Sequence, residues 1–177
     1  MLKLIGGIVL LAIVIILILA STKPSTFRVE RSITINASPE KVAALINDFH
    51  NWNAWSPWAK LDPDMKTTYF GPASGPGSVY EWEGNSKVGK GRMEILSTDP
   101  AKTSIKLDFL KPFEGHNTAD FLLQPEGPGT RVTWVMYGPM KFFPGKIMSV
   151  FTTMDNVIGT DFEKGLASLK SLAEKQP

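Results

Sequence analysis

Hydrophobic positions divide the chain sharply near residue 20. Leu4 to Ala20 (LIGGIVLLAIVIILILA) is a run of 17 residues with no charge and no strong polar group. As a helix it covers about 25 Å, slightly under the ~30 Å hydrocarbon core of a bilayer. Ser21 and Thr22 can extend it, and Lys3 and Lys23 can reach headgroups at either end. No face of the segment is polar, so a helix buried in a soluble core is not the reading. A cleaved signal peptide is the competitor, but Ile18 is large where cleavage needs a small residue. The expected organisation is a transmembrane anchor over residues 1–22, a linker over 23–26 and a folded domain over 27–175. The amino terminus and Lys3 argue for the short end inside, and Lys23, Arg28 and Arg31 for the opposite; with the last two assigned to the folded domain, an extracytoplasmic domain is favoured.

Beyond the linker the period changes. Phe27, Val29, Ile33 and Ile35 alternate along a first strand, with Arg31 the exception. Asn36-Ala-Ser-Pro-Glu then signals a helix start, with Ser38 as N-cap, Pro39 at the first helical position and Glu40 in the first turn. Val42, Leu45 and Ile46 form its apolar side. In His50–Trp58 three tryptophans spaced by three (Trp52, Trp55, Trp58) predict a second short helix or turn, ended at Pro57. A short strand over Lys66–Phe70 follows. Alternating segments then recur at Ser78–Glu83, Gly91–Thr98, Thr103–Leu110, Thr118–Gln124 and Thr130–Tyr137. Gly, Pro, Asn and Asp clusters separate them at hairpin spacing, which favours an antiparallel sheet. Ile158, Phe162, Leu166, Leu169 and Ala173 form one stripe of a final helix over Asp155–Lys175. At about 31 Å that helix can cross a sheet face. The class is α+β: about seven strands, two short helices after the first, and a long C-terminal helix.

Composition removes chemistry rather than adding it. The 177 residues include no cysteine and two histidines, which excludes disulfides, thiolate metal sites and cysteine nucleophiles. The 17 acidic residues stand against 19 basic ones, and a net charge of +2 gives no ground for a nucleic-acid partner. Gly84-Asn-Ser-Lys-Val-Gly-Lys-Gly91 imitates a phosphate-binding loop. However, Gly91 stands where the metal-binding hydroxyl belongs and a strand follows instead of a helix, so it reads as a hairpin turn. No cofactor, metal or nucleophile motif survives, and no catalytic residue is assigned. Nothing in the pattern specifies an oligomeric state.

Three phrases carry a resemblance: WSPWAKLDP (Trp55–Pro63), the GT-x-VTW-x-M-x-G run (Gly129–Gly138) and IG-x-DFEKGLASLK (Ile158–Lys170). Together they resemble the polyketide cyclase/dehydrase and lipid-transport-like branch of the START-like (SRPBCC) superfamily, the helix-grip proteins related to Bet v 1. The resemblance spans about Phe27 to Lys175. It implies a curved antiparallel sheet wrapped around the C-terminal helix, with a cavity between them for a hydrophobic or amphipathic molecule such as a lipid or isoprenoid. Such proteins also include cyclases and hydrolase-like enzymes, and some bind protein partners, so the fold alone does not choose.

Alternation nominates the cavity wall: Tyr80 and Trp82, Met93 and Ile95, Leu107 and Phe109, Phe121, then Val132, Trp134 and Met136. The opposite parity holds Glu81, Glu83, Arg92, Glu94, Lys106, Asp108, Asp120 and Arg131, so one face is wet and the other covered. Trp55 and Trp58 stand at the mouth or lock the short helices. Phe162, Gly165 and Leu166 supply the helix side. Gly165 costs about 1 kcal/mol relative to alanine, which means either close approach to the sheet or space kept for a guest. Gly71–Gly77 and Lys141–Thr153 are the expected gates, and the second could instead rest on the membrane. An enzyme in the same cavity would need His50, His116 or Asp108 to project inside.

Overall fold

The computed structural model describes residues 1–175, the side chains of Leu2 and Phe142 apart. An apolar helix, α1 (Leu2–Ser21), comes first, and its 19 residues Lys3–Ser21 are long and apolar enough to cross a membrane. Seven strands follow: β1 (Thr26–Ile35), β2 (Lys66–Phe70), β3 (Val79–Glu83), β4 (Lys90–Asp99), β5 (Lys102–Lys111), β6 (Gly115–Glu126) and β7 (Gly129–Pro139). They form one antiparallel sheet in the order β1-β7-β6-β5-β4-β3-β2. Register shifts at Lys90/Gly91 and Ile95/Ser97 between β4 and β5 favour its curvature.

Between β1 and β2 lie α2 (Pro39–Ile46), a 3₁₀ turn (Phe49–Asn51), α3 (Trp52–Trp55) and a second 3₁₀ turn (Pro57–Lys60). The capping prediction holds: Ser38 Oγ accepts from the Lys41 amide at 3.4 Å, with Pro39 at the first helical position. The tryptophan segment is three short pieces rather than one helix, because Pro57 turns Ser56 extended and restarts the chain.

The long helix α4 (Met154–Lys175) lies mainly against β1, with α2 and α3 beside it. Arg31, the exception in the β1 alternation, is what joins helix and strand. Its Nε–H donates to Glu163 at 2.7 Å and its two terminal nitrogens donate to Asp155 at 2.7 and 3.0 Å. A Cβ at Gly159 would meet the Arg31 guanidinium, so glycine there leaves room for the ion pairs as they stand. Lys170, bonding the Thr34 carbonyl, and Glu174, accepting from the Asn36 amide, continue the seam.

Strand parity follows the prediction, with one modification. The convex face is polar, yet Asp108, Asp120 and Val135 on it are buried. Asp120 accepts from Ser104 (2.7 Å) and Tyr137 (3.3 Å) and pairs with Lys102 (2.8 Å). Asp108 meets His116 Nδ1 at 2.7 Å and Lys106 Nζ at 3.0 Å. Short carboxylates can be covered by the longer side chains on neighbouring strands, and alternation does not report that.

Candidate ligand-binding site

The concave residues fall into rows that cross the strands. Trp82, Gly91 and Phe109 are in register nearest the end where β1 begins. Tyr80, Met93, Leu107 and Asn117 form the next row, then Ile95, Ile105, Ala119, Met136 and Val29. Phe121 and Trp134 lie deeper, followed by Leu123 and Val132.

The deep rows are sealed. Trp134 lies parallel to Phe162 of α4 at 4.2 Å between centroids and to Phe121 at 5.0 Å, with Trp52, Trp55 and Trp58 edge-on around it. Leu166 of α4 is buried in the same cluster. A Cβ at Gly165 would lie 2.8 Å from the Trp134 ring and 3.0 Å from Pro57 Cδ. Close approach, rather than reserved space, is therefore what glycine provides there.

Trp52 and Trp55 act as struts. Their indole N–H groups donate to the Ile46 carbonyl (2.9 Å) and the Leu45 carbonyl (3.3 Å), fixing the end of α2 over the sheet. Trp82 folds over Gly91, where any side chain would strike its ring, and donates to the Val88 carbonyl at 3.0 Å. Trp134 differs from these three. Its N–H is fully enclosed and has no hydrogen-bond partner, the one such side-chain atom among the described residues. A buried donor without an acceptor costs about 1–3 kcal/mol.

Accessibility changes along the wall. Ile95, Phe121, Val132, Trp134, Phe162 and Leu166 are 0–3% exposed, whereas Tyr80, Trp82, Met93 and Leu107 are 7–9% exposed. Phe109, Asn117 and Trp58 are half-buried. The concave face is closed under α4 and α3, and its half-buried residues Phe109 and Asn117 lie toward the end where β1 begins. Burial, with Tyr69 beside it, pushes the Tyr80 hydroxyl up to about 12, so it stays a neutral donor at physiological pH.

Asn117 escaped the sequence reading, which began β6 at Thr118. It is an inward polar side chain, and its amide lies in a notch left by Gly138 and Gly115; a Cβ at Gly138 would collide with it. A polar residue opposite Leu107 breaks the alternation, so only pairing shows that the strand extends that far.

The histidines stand elsewhere. His50 stacks on Tyr69 at 4.2 Å and meets Asp48 at 2.7 Å beside a surface hollow of about 240 Å³ bordered by Phe49, Phe70 and the Gly71–Ala73 turn. His116 and Asp108 sit on the convex face, with Glu114 3.1 Å from His116 Nε2. Asp108 and Glu114 raise the pKa of His116. A second hollow, about 350 Å³, lies between the β3–β4 turn and Lys111–Pro112. Neither hollow lies under α4.

This architecture is the helix-grip fold of the START-like, Bet v 1-like superfamily, a fold that binds hydrophobic ligands. Residues 26–174 match the family described as polyketide cyclase / dehydrase and lipid transport, and the chain belongs to that family. A comparison with curated proteins finds no significant match. Among solved structures, the chain is similar to the Aha1 dimer from Colwellia psychrerythraea (18% identity, TM-score 0.59, covering 84% of this chain and 96% of that one). It is also similar to the di-domain ARO/CYC BexL from the BE-7585A biosynthetic pathway (17%, TM-score 0.61, covering 90% and 53%). Ara h 8.0201 is a third (12%, TM-score 0.55, covering 85% and 99%). These likenesses concern the fold.

Proposed function

We propose that the protein is a membrane-anchored binding protein for a small hydrophobic or amphipathic molecule, lipid or isoprenoid-like. α1 is its anchor (residues 1–22), residues 23–26 are the linker, and residues 27–175 are the binding domain, on the extracytoplasmic side. The ligand's apolar part lies along Trp82, Met93, Leu107 and Phe109, and Asn117 meets polar atoms at the mouth. Each methylene removed from water contributes about 0.8 kcal/mol. The observation that carries the reading is the apolar concave wall itself, whose half-buried residues Phe109 and Asn117 place a ring and a polar amide side by side at one end of it. Binding is favoured over catalysis because His50, His116 and Asp108 all lie off the concave wall.

The test is native mass spectrometry of the full chain released from lipid nanodiscs prepared from its host membrane. Wild type should retain a species of low mass. Asn117→Ala, which removes the polar group at the mouth, should retain about five- to tenfold less, the equivalent of one hydrogen bond. Absence of any retained species from wild type would sink the reading. Equal retention by both proteins would remove Asn117 from it.

A further inference from the structure

We propose that the segment between β7 and α4, together with the β5–β6 turn, docks into the bilayer surface beside α1, so that the less closed end of the concave face is loaded directly from the membrane. The inference rests on the anchoring role of α1 proposed above.

Several observations converge on one end of the molecule. Ala20 in the last turn of α1 is fully buried, whereas the helix before it is mostly exposed, and α1 meets the Phe142–Lys146 turn. The Met140 amide donates to the Ser25 carbonyl at 2.7 Å, and Lys146 Nζ donates to Ser25 Oγ at 3.0 Å. With α1 spanning a bilayer, the backbone at Met140–Lys146 is therefore fixed at headgroup depth, within a few residues of where the helix leaves the hydrocarbon.

That location matches the side chains. Phe143 is 68% exposed, Phe151 71% and Phe113 55%. Phe113 and Phe143 meet edge-to-face at 6.3 Å, which joins the β5–β6 turn to the segment. Lys141, 3.3 Å from Glu114, adds an ionic link between the same two pieces. Aromatic rings flanked by lysines are the composition of an interfacial contact, with rings at the acyl boundary and ammonium groups at phosphates. Lys23, Lys111, Lys141 and Lys146 supply the cations on this end.

The docked end is also the accessible end of the wall. Trp82, Gly91 and Phe109, the row with a half-buried phenylalanine, face the same side as the β5–β6 turn that carries Phe113. A lipid-derived guest would thus move from bilayer to concave face without crossing water.

The absence of cysteine makes single-cysteine labelling direct. Full-length Phe143→Cys, Phe151→Cys, Ser74→Cys and Ile13→Cys variants would each carry an environment-sensitive fluorophore. They would be reconstituted in nanodiscs of phosphatidylcholine and phosphatidylglycerol, with doxyl-labelled lipid as quencher. Ser74 marks the β2–β3 turn at the opposite end, and Ile13 the middle of α1. Labels at 143 and 151 should be quenched at least about twofold more than the label at 74, as seating at the acyl boundary requires. Quenching at 143 and 151 no greater than at 74, with 13 strongly quenched, would overturn docking and leave the anchor standing. Loss of quenching at 13 as well would overturn both.

Discussion

Gly165→Ala tests how tightly the helix is gripped. The added methyl would lie 2.8 Å from the Trp134 ring and 3.0 Å from Pro57 Cδ. Neither neighbour can give way cheaply: Trp134 is held between Phe121 at 5.0 Å and Phe162 at 4.2 Å, and Pro57 is a rigid ring opening a helical turn. Overpacking of this kind costs about 1–3 kcal/mol. Against it, alanine improves the helix by about 1 kcal/mol over glycine. The net expectation is a loss of about 1 kcal/mol. Urea unfolding of the full chain in detergent micelles, followed by tryptophan emission, reads this as a fall in midpoint of about 0.5 M for a slope near 2 kcal/mol/M. A midpoint that rises by a similar amount would mean open space at this position and would refute the close-contact argument.

Three further outcomes are expected. His116 has a raised pKa because it bonds Asp108 and Glu114, so its contribution is complete below its unfolded value of 6.5 and disappears as pH rises through the folded value. Urea midpoints of wild type should therefore decline from about pH 6 to about pH 8 relative to those of His116→Gln; parallel curves would contradict this. Asp155 is held below its ordinary 3.8 by hydrogen bonds from Arg31, so that stabilisation is present above 3.8 and lost as pH falls through the lower folded value. Arg31→Gln should lose this component of acid sensitivity, read as a flatter acid limb in thermal melts. Thr103→Val deletes a buried 2.6 Å hydrogen bond to Asn47 Oδ1 at the end of α2 and should cost about 1 kcal/mol in the same urea assay.

Most of the architecture was legible because burial on a sheet enforces a period of two. Tyr80, Met93, Leu107, Phe121 and Trp134 all point inward as their alternation required. Ser38 and Pro39 marked a helix start through local hydrogen bonding alone. Properties that depend on distance between remote segments were not legible. Whether Gly165 kept space or closed it depended on Pro57 and Trp134, 108 and 31 positions away in the chain. The buried state of Asp108 and Asp120 depended on partners from neighbouring strands. Which of four deep indoles would lack an acceptor is likewise a matter of tertiary geometry, since Trp52, Trp55 and Trp82 find carbonyls six to ten residues away and Trp134 does not.

The strand next to α1 occupies an outer position in the sheet and is bonded to β7 over ten consecutive pairs, Thr26↔Pro139 through Ile35↔Thr130. With α1 as the proposed anchor, any pull on the domain enters the sheet at the start of this strand, Thr26. A pull along that strand would be shared among all its rungs as shear instead of opening them one at a time. The Arg31 seam and the Lys170 and Glu174 contacts add a second brace to the same strand, so the strand that follows α1 is tied to both the sheet and the long helix.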